Sequence, residues 1–381
     1  MGHGPTPDLH PDLAEMAPDD ARDRGPGAGP DGELLSIQYL RGLAALLVVA
    51  HHALSQLAAP SPRLAFLQGG VDVFFVISGV VMWWTTCRRP AAPAAFVRRR
   101  LTRIVPLYWI LTSVVVLVLL AAPRLMQTTR FDPAHALASY LFLAWPNPAV
   151  GIGVRPLMIP GWTLNYEMFF YGLFALALML PVRRRLAALA AGFVLIVTAG
   201  ALLPGLPPAA GFYTRPIILE FVLGLLIAAR LQAWRPRSAA LPVLLFGVAL
   251  TALAAGRWTA GEGLSRLVWL GLPAAALVAC AAAAERVRAM PRIPLARLAG
   301  DASYAIYLSH PLLLSAMAQA WKRSPLEGAP AGLFVAAALP AAVLGGVAVH
   351  LWVERPVTRW LQRRFSAAPK PAQPTLAEAA P

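Results

Sequence analysis

The sequence predicts an all-α polytopic membrane bundle of about ten transmembrane helices, with both termini in the cytoplasm. Three observations carry that prediction. Of the 381 residues, 58% are apolar and only 13% are charged. Soluble domains carry about 25% charged residues, so too little polar surface remains to cover a water-facing globule. Apolar runs recur at lengths suited to crossing roughly 30 Å of hydrocarbon. The cations are also distributed unevenly about those runs. In a soluble chain the formal charge of +15 would suggest nucleic-acid binding. Here it gathers in the segments expected to face the cytoplasm, as Lys and Arg do in membrane proteins. Membrane lipids are therefore expected as partners and nucleic acid is not.

Residues 1–35 are rich in Pro, Gly and Asp without an apolar period, which predicts a disordered tail. They lack the basic start and apolar run of a signal peptide. Spans follow at about 38–57, 71–86, 103–122, 163–180, 186–203, 216–232, 240–255, 264–284, 303–321 and 331–353, and residues 366–381 read as a second tail. The run at 138–145 is too short to cross and is expected to lie in an interface or fold back. Ten spans place 24 of the 33 Lys and Arg inside, including Arg98–Arg100 and Arg183–Arg185. An eleventh span would turn Arg183–Arg185 and every later loop outward. Cys87 and Cys280 cannot form a disulfide framework. No Cys/His spacing suggests zinc, so no metal is expected.

Ionisable groups inside a membrane are costly, which makes each a functional candidate. In the first span Arg41 and His52 are eleven residues apart, so they share a helix face at a separation of about 16 Å. An interface-anchoring Arg and a bundle histidine bonded in place would account for the same residues. The second span opens GGVDVFFVISG. Asp72 at its outer end suits either a ligand contact or a helix cap. Ser78–Gly79 suits either chemistry or a packing notch. In FVRRRLTRIVPLYW, Arg100 and Arg103 are neighbours on one face. Paired guanidiniums suit phosphate, while topogenic charge and headgroup contact are the alternative. In PGWTLNYEMFFY, Glu167 and Tyr171 share a face just after Trp162 and Asn165. Glu167 is a candidate general base or acceptor-binding group, or the partner of an outer-loop Arg. His310 precedes Pro311 in GDASYAIYLSHP, where a kink frees backbone carbonyls that could hold it. Glu354 and Arg355 read as a structural pair.

Together these segments resemble the acyltransferase-3 family of integral membrane O-acyltransferases, and in wording the exopolysaccharide-acetylating, succinoglycan-type members. The matching pieces are LRGLAALLVVAHH, GVDVFFVISG, RRRLTRIVPLYW, PGWTLNYEMFFY, GDASYAIYLSHP and VERP, in order across residues 36–365. The resemblance implies a membrane acyltransferase domain over 36–365 in a bacterial inner membrane. It implies transfer of an acyl group, usually acetyl, from cytoplasmic acetyl-CoA to a sugar hydroxyl of an envelope glycan or lipid-linked saccharide. Carried over, its Arg-x10-His and RxxR motifs are Arg41, His52, Arg100 and Arg103. His52 and Glu167 become the expected catalytic residues, and Arg41, Arg100 and Arg103 the expected donor-binding residues. Asp72, Trp162, Asn165, Tyr171 and His310 become expected acceptor-side contacts. Thr163 stands where Ser is commoner in the family, and His51 where an aromatic residue is. The expected polarity sets the arginines inside, Asp72, Trp162 and Glu167 outside, and His52 between them. A transporter or flippase is the competing class. It would show inverted repeats and Gly/Pro-broken helix pairs, which the sequence lacks.

Overall fold

The computed structural model describes residues 34–56, 62–88, 90–125, 130–149, 153–233, 236–255, 263–288 and 290–366. Residues 1–33 and 367–381, where most of the two expected tails falls, lie outside the described residues. The described chain is helical, with one isolated bridge between Pro146 and Val154.

Helix α1 (Leu35–Leu54) starts earlier than its apolar run suggests, because its first turn is held from a distance. Glu285 accepts from the Leu35 and Ser36 amides at 2.8 and 2.9 Å and from Ser36 Oγ at 2.6 Å. A carboxylate suits the unpaired N–H groups and positive end of a helix start. Leu34 and Leu35 therefore belong to the buried bundle rather than to a tail. A 3₁₀ turn (Pro62–Gln68) leads into α2 (Gly69–Arg88). Helix α3 (Pro93–Ala121) has 29 residues and begins at a proline, well before the expected residue 103. That start raises Arg100 and Arg103 about two and three turns above the helix base.

Helix α4 (Pro133–Tyr140) is capped by Asp132, which accepts from the His135 amide. The chain then turns at Phe142, where φ is 57°. The run at 138–145 therefore ends a short helix and folds back. Next come α5 (Gly161–Ala177), α6 (Val182–Leu202), α7 (Pro208–Tyr213), α8 (Leu219–Ala233) and α9 (Ala240–Ala255). Helix α10 (Leu264–Arg266) runs through a π turn (Leu267–Gly271) into α11 (Leu272–Val287). The chain ends with α12 (Pro294–Asp301), α13 (Ser303–Trp321), α14 (Ala331–Val349), a second π turn (His350–Glu354) and α15 (Arg355–Ser366).

Among the described residues, six helical stretches are long and apolar enough to cross a membrane: Leu35–Leu54, Leu64–Arg88, Pro93–Ala121, Val182–Leu202, Leu264–Val287 and Ala331–Phe365. The other four expected spans coincide with α5, α8, α9 and α13. The first three have 17, 15 and 16 residues, short of the roughly 20 that cross squarely. Helix α13 has the length, with 19 residues, but carries Ser303, Tyr304, Tyr307, Ser309 and His310.

Helices α2 and α8 cross backbone to backbone. A Cβ on Gly79 would run into the Phe221 carbonyl, and one on Gly224 into the Val76 carbonyl. Small residues permit this approach, the usual device of packed membrane helices. Replacing Gly79 with Ala should therefore destabilise the protein by ~1–3 kcal/mol, the usual cost of overpacking. Gly172→Ala should be neutral, since nothing lies within 4 Å of its Cβ position. Thermal unfolding in detergent checks this, and equal melting temperatures for the two variants would refute the tight crossing.

Candidate active site

Four helices and the start of a fifth enclose a cavity of about 130 Å³. Its wall takes Arg41 from α1, Phe74 and Ser78 from α2, and Arg100 and Arg103 from α3. Helix α5 adds Thr163, Glu167 and Tyr171, and α13 adds Tyr304 and Tyr307. Three arginines and Glu167 thus line one cavity. Glu167 Oε1 accepts from Ser78 Oγ at 3.2 Å and from the Tyr171 hydroxyl. The i,i+4 spacing of Glu167 and Tyr171 makes the second bond local, while the first joins α5 to α2. Arg100 lies over the Phe96 ring at 5.7 Å, and its Nε is buried without a hydrogen-bond partner. An orphaned guanidinium N–H is costly unless a ligand or water meets it. Arg41 reaches Gln38 Oε1 at 3.3 Å.

The tyrosines fix the wall on the α13 side. Tyr304 donates to the Ile104 carbonyl at 2.6 Å. The Tyr307 hydroxyl lies 3.0 Å from Thr163 Oγ1 and donates to the Pro160 carbonyl at 3.2 Å. Tyr307 also meets Phe74 edge-on at 5.7 Å. Beside this wall stands a histidine pair. His52 is partly exposed and His310 fully buried, with ring centroids 4.9 Å apart. The Tyr307 ring is 5.9 Å from that of His310, and His51 lies edge-on to His52 at 5.2 Å.

The structure therefore gathers Arg41, Arg100, Arg103, Glu167 and Tyr171 at one cavity, with His52 and His310 adjoining the tyrosine wall. This differs from the expected polarity. Glu167 shares a chamber with the arginines, because Arg100 and Arg103 lie about two and three turns into α3, on the face that lines the cavity. Asp72 does not join them. It is fully buried and bonded through Oδ2 to Arg266 Nη2 at 2.6 Å, with buried Glu220 as its neighbour on α8. Trp162 is half-buried beneath Arg155, which lies 5.1 Å over its ring. Asn165 is buried and donates to the Leu143 carbonyl at 3.3 Å, bracing the segment after α4. Glu354 pairs with His350 at 2.7 Å across the second π turn, which replaces the expected Glu354–Arg355 pair. Thr163, Tyr304 and Tyr307 were not among the expected site residues. The spacing of Tyr304 and Tyr307, one helical turn apart on the segment carrying His310, was the available signal. Among the described residues no cluster of three or more His, Cys, Asp or Glu side chains could hold a metal ion.

A helical membrane bundle with an arginine-rich internal cavity and an adjoining histidine pair suits an enzyme that handles an anionic substrate at a membrane. The family model described as an acyltransferase domain matches residues 34–351, and the chain belongs to this acyltransferase-3 family. It is 38% identical over 301 residues to the exopolysaccharide production protein ExoZ of Rhizobium meliloti (strain 1021), covering 76% of this chain and 89% of that protein. It is 30% identical over 388 residues to the acyltransferase MdmB of Streptomyces mycarofaciens, covering 89% and 96%. No solved structure matches it. The protein is an O-acyltransferase.

The Asp72–Arg266 pair is buried on both sides, so its loss is measurable without touching the cavity. Arg266→Met should cost ~3–5 kcal/mol, because it leaves Asp72 charged and uncompensated. Adding Asp72→Asn should restore much of that. Chemical denaturation of the two variants and the double mutant gives the coupling, and strictly additive losses would show that the pair does not act as a unit.

Proposed function

We propose that this chain moves an acyl group, acetyl by the family resemblance, from a cytoplasmic acyl-CoA to a hydroxyl of an envelope or exopolysaccharide sugar, free or lipid-linked. One observation carries the reading: Arg41, Arg100 and Arg103 converge with Glu167 and Tyr171 on one cavity inside an apolar bundle. Guanidinium forks suit the phosphates of CoA, and the orphaned Arg100 Nε suits an anionic occupant. A relative named for exopolysaccharide production supports the glycan acceptor.

On this reading the three arginines hold the donor, and Glu167, fixed by Ser78 and Tyr171, orients the acceptor. His52 removes the acceptor hydroxyl proton as the sugar oxygen forms its bond to the thioester carbonyl carbon. The carbon–sulfur bond then breaks, and His52 returns the proton to the departing thiolate. Sugar alcohol and acyl-CoA become ester and free CoA. In a two-step variant His52 first accepts the acyl group itself and then passes it on. His51, whose ring touches that of His52, is the neighbouring imidazole in either scheme.

The same reading places the chain in a bacterial inner membrane with both ends cytoplasmic. Helices α5, α8, α9 and α13 then join the six membrane-length stretches to make ten crossings. That arrangement would set 24 of the 33 Lys and Arg on the cytoplasmic side, the bias expected of membrane proteins.

Purified protein in lipid, given radiolabelled acetyl-CoA and envelope glycan, should label the glycan. His52→Ala should lower kcat by about 10²-fold or more, the usual worth of a general base. Arg103→Ala should raise KM for acetyl-CoA by about tenfold with a smaller change in kcat, as removal of ground-state binding does. Wild-type transfer by His52→Ala at normal expression would sink the mechanism. Failure of any acyl-CoA to serve as donor would sink the substrate assignment.

A further inference from the structure

The pairing of two imidazoles next to the cavity has a definite proton arrangement. His52 Nδ1 lies 2.9 Å from the Val48 carbonyl oxygen. A carbonyl only accepts, so His52 Nδ1 carries the proton. His310 Nε2 lies 3.3 Å from that same nitrogen. A proton on both atoms would set two N–H groups head to head, so His310 Nε2 presents its lone pair. The His310 proton then sits on Nδ1, which faces the Ile306 carbonyl at 3.3 Å. One tautomer of each ring suits all three contacts, with the single His52 Nδ1 proton shared between the Val48 carbonyl and His310 Nε2. The consequence falls on the remaining atom, because His52 is left with its basic lone pair on Nε2.

We propose that His310 is a positioning residue that backs His52 in the tautomer set by the Val48 carbonyl, with Nε2 basic, rather than a contact for the sugar. The proposal rests on His52 being the reactive imidazole. Burial separates the two roles: His310 is fully enclosed, whereas His52 is partly exposed. When His52 Nε2 takes the acceptor proton, the ring becomes an imidazolium and its Nδ1–H donates more strongly to His310 Nε2. The His310 lone pair thus stabilises the charge that develops during transfer. When the thiolate takes the proton back, both rings return to their starting tautomers with no net change. Helix α13 holds the assembly in place, since Tyr307, one turn before His310, is tied to the Pro160 carbonyl.

The test compares His310→Gln with His310→Leu in the full chain in lipid. Gln keeps a carbonyl acceptor near the position of Nε2, and Leu keeps bulk alone. His310→Leu should lower kcat about 10- to 100-fold, the worth of a hydrogen bond to a charged group. KM for acetyl-CoA should stay within about twofold, since the donor arginines are untouched. His310→Gln should recover most of the lost kcat. Wild-type kcat in His310→Leu, an equal loss in both variants, or a rise in KM at constant kcat would each overturn the proposal.

A second measurement does not depend on how the variants fold. Nitrogen-15 spectra of histidine-labelled wild-type protein, assigned with His52→Gln, should show His52 protonated at Nδ1 and bare at Nε2. The opposite tautomer overturns the proposal. His52→Ala separates this inference from the functional reading beneath it. If His52→Ala stays active, the base assignment fails. If it is inactive while His310→Leu is unaffected, only the positioning role fails.

Discussion

An ionisable side chain inside an apolar bundle has to be compensated where it stands, because stripping charge of water costs several kcal/mol per ion. Two groups of such side chains meet that requirement differently. Asp72 and Arg266 pair at 2.6 Å and are almost wholly enclosed, so that site is closed. The second group sets Arg41, Arg100 and Arg103 with Glu167 around the cavity. There the buried Arg100 Nε lacks a hydrogen-bond partner, and an incoming anion such as the proposed phosphorylated donor would meet it. The same physical constraint thus yields a structural pair in one place and, on the proposed reading, a donor site in the other.

Helix α2 carries elements of both groups because successive residues point to different faces. Asp72 reaches Arg266 at one end, Gly79 admits α8, and Ser78 beside it bonds Glu167. The α2–α8 crossing and the cavity wall are therefore coupled through adjacent residues. Any shift of α8 against Gly79 would move the hydroxyl that holds Glu167. Helix α3 contributes through length. Its start at Pro93 puts all four arginines within the helix, where Arg98 and Arg99 fall on the exposed face and Arg100 and Arg103 on the face that lines the chamber.

Much of this was legible in the sequence where the cause is local. Composition gave the membrane class, and helical spacing paired Arg100 with Arg103 and Glu167 with Tyr171. Of the Ser78–Gly79 pair, Gly79 is the packing notch, while Ser78 lines the cavity and bonds Glu167. What stayed hidden depends on which helices lie side by side. The partner of Asp72 is 194 residues away, and the carboxylate that caps α1 is 250 residues from Leu35. No local period encodes such pairings. Glu354 misled for a different reason: adjacent residues point apart on a helix, while His350 lies one turn back on the same face. The expected spans at α5, α8 and α9 rest on apolarity alone, and those helices are apolar but shorter than the roughly 20 residues that cross squarely.

Helix α13 shows what apolarity alone leaves out of account. It is long enough to cross, yet its polar residues exclude it from the membrane-length set. Those residues are turned inward. Tyr304 and Tyr307 line the cavity, and His310 backs His52. A lipid-facing helix would have to surrender these groups, because hydroxyls and imidazoles in hydrocarbon lack partners. Enclosed by α1, α3 and α5, each finds one: Ile104, Pro160 and His52 respectively. The polarity that weakens α13 as an apolar span is thus what lets it join the arginine cavity to the histidine pair. On the proposed mechanism that junction is where the donor's thioester has to meet the base.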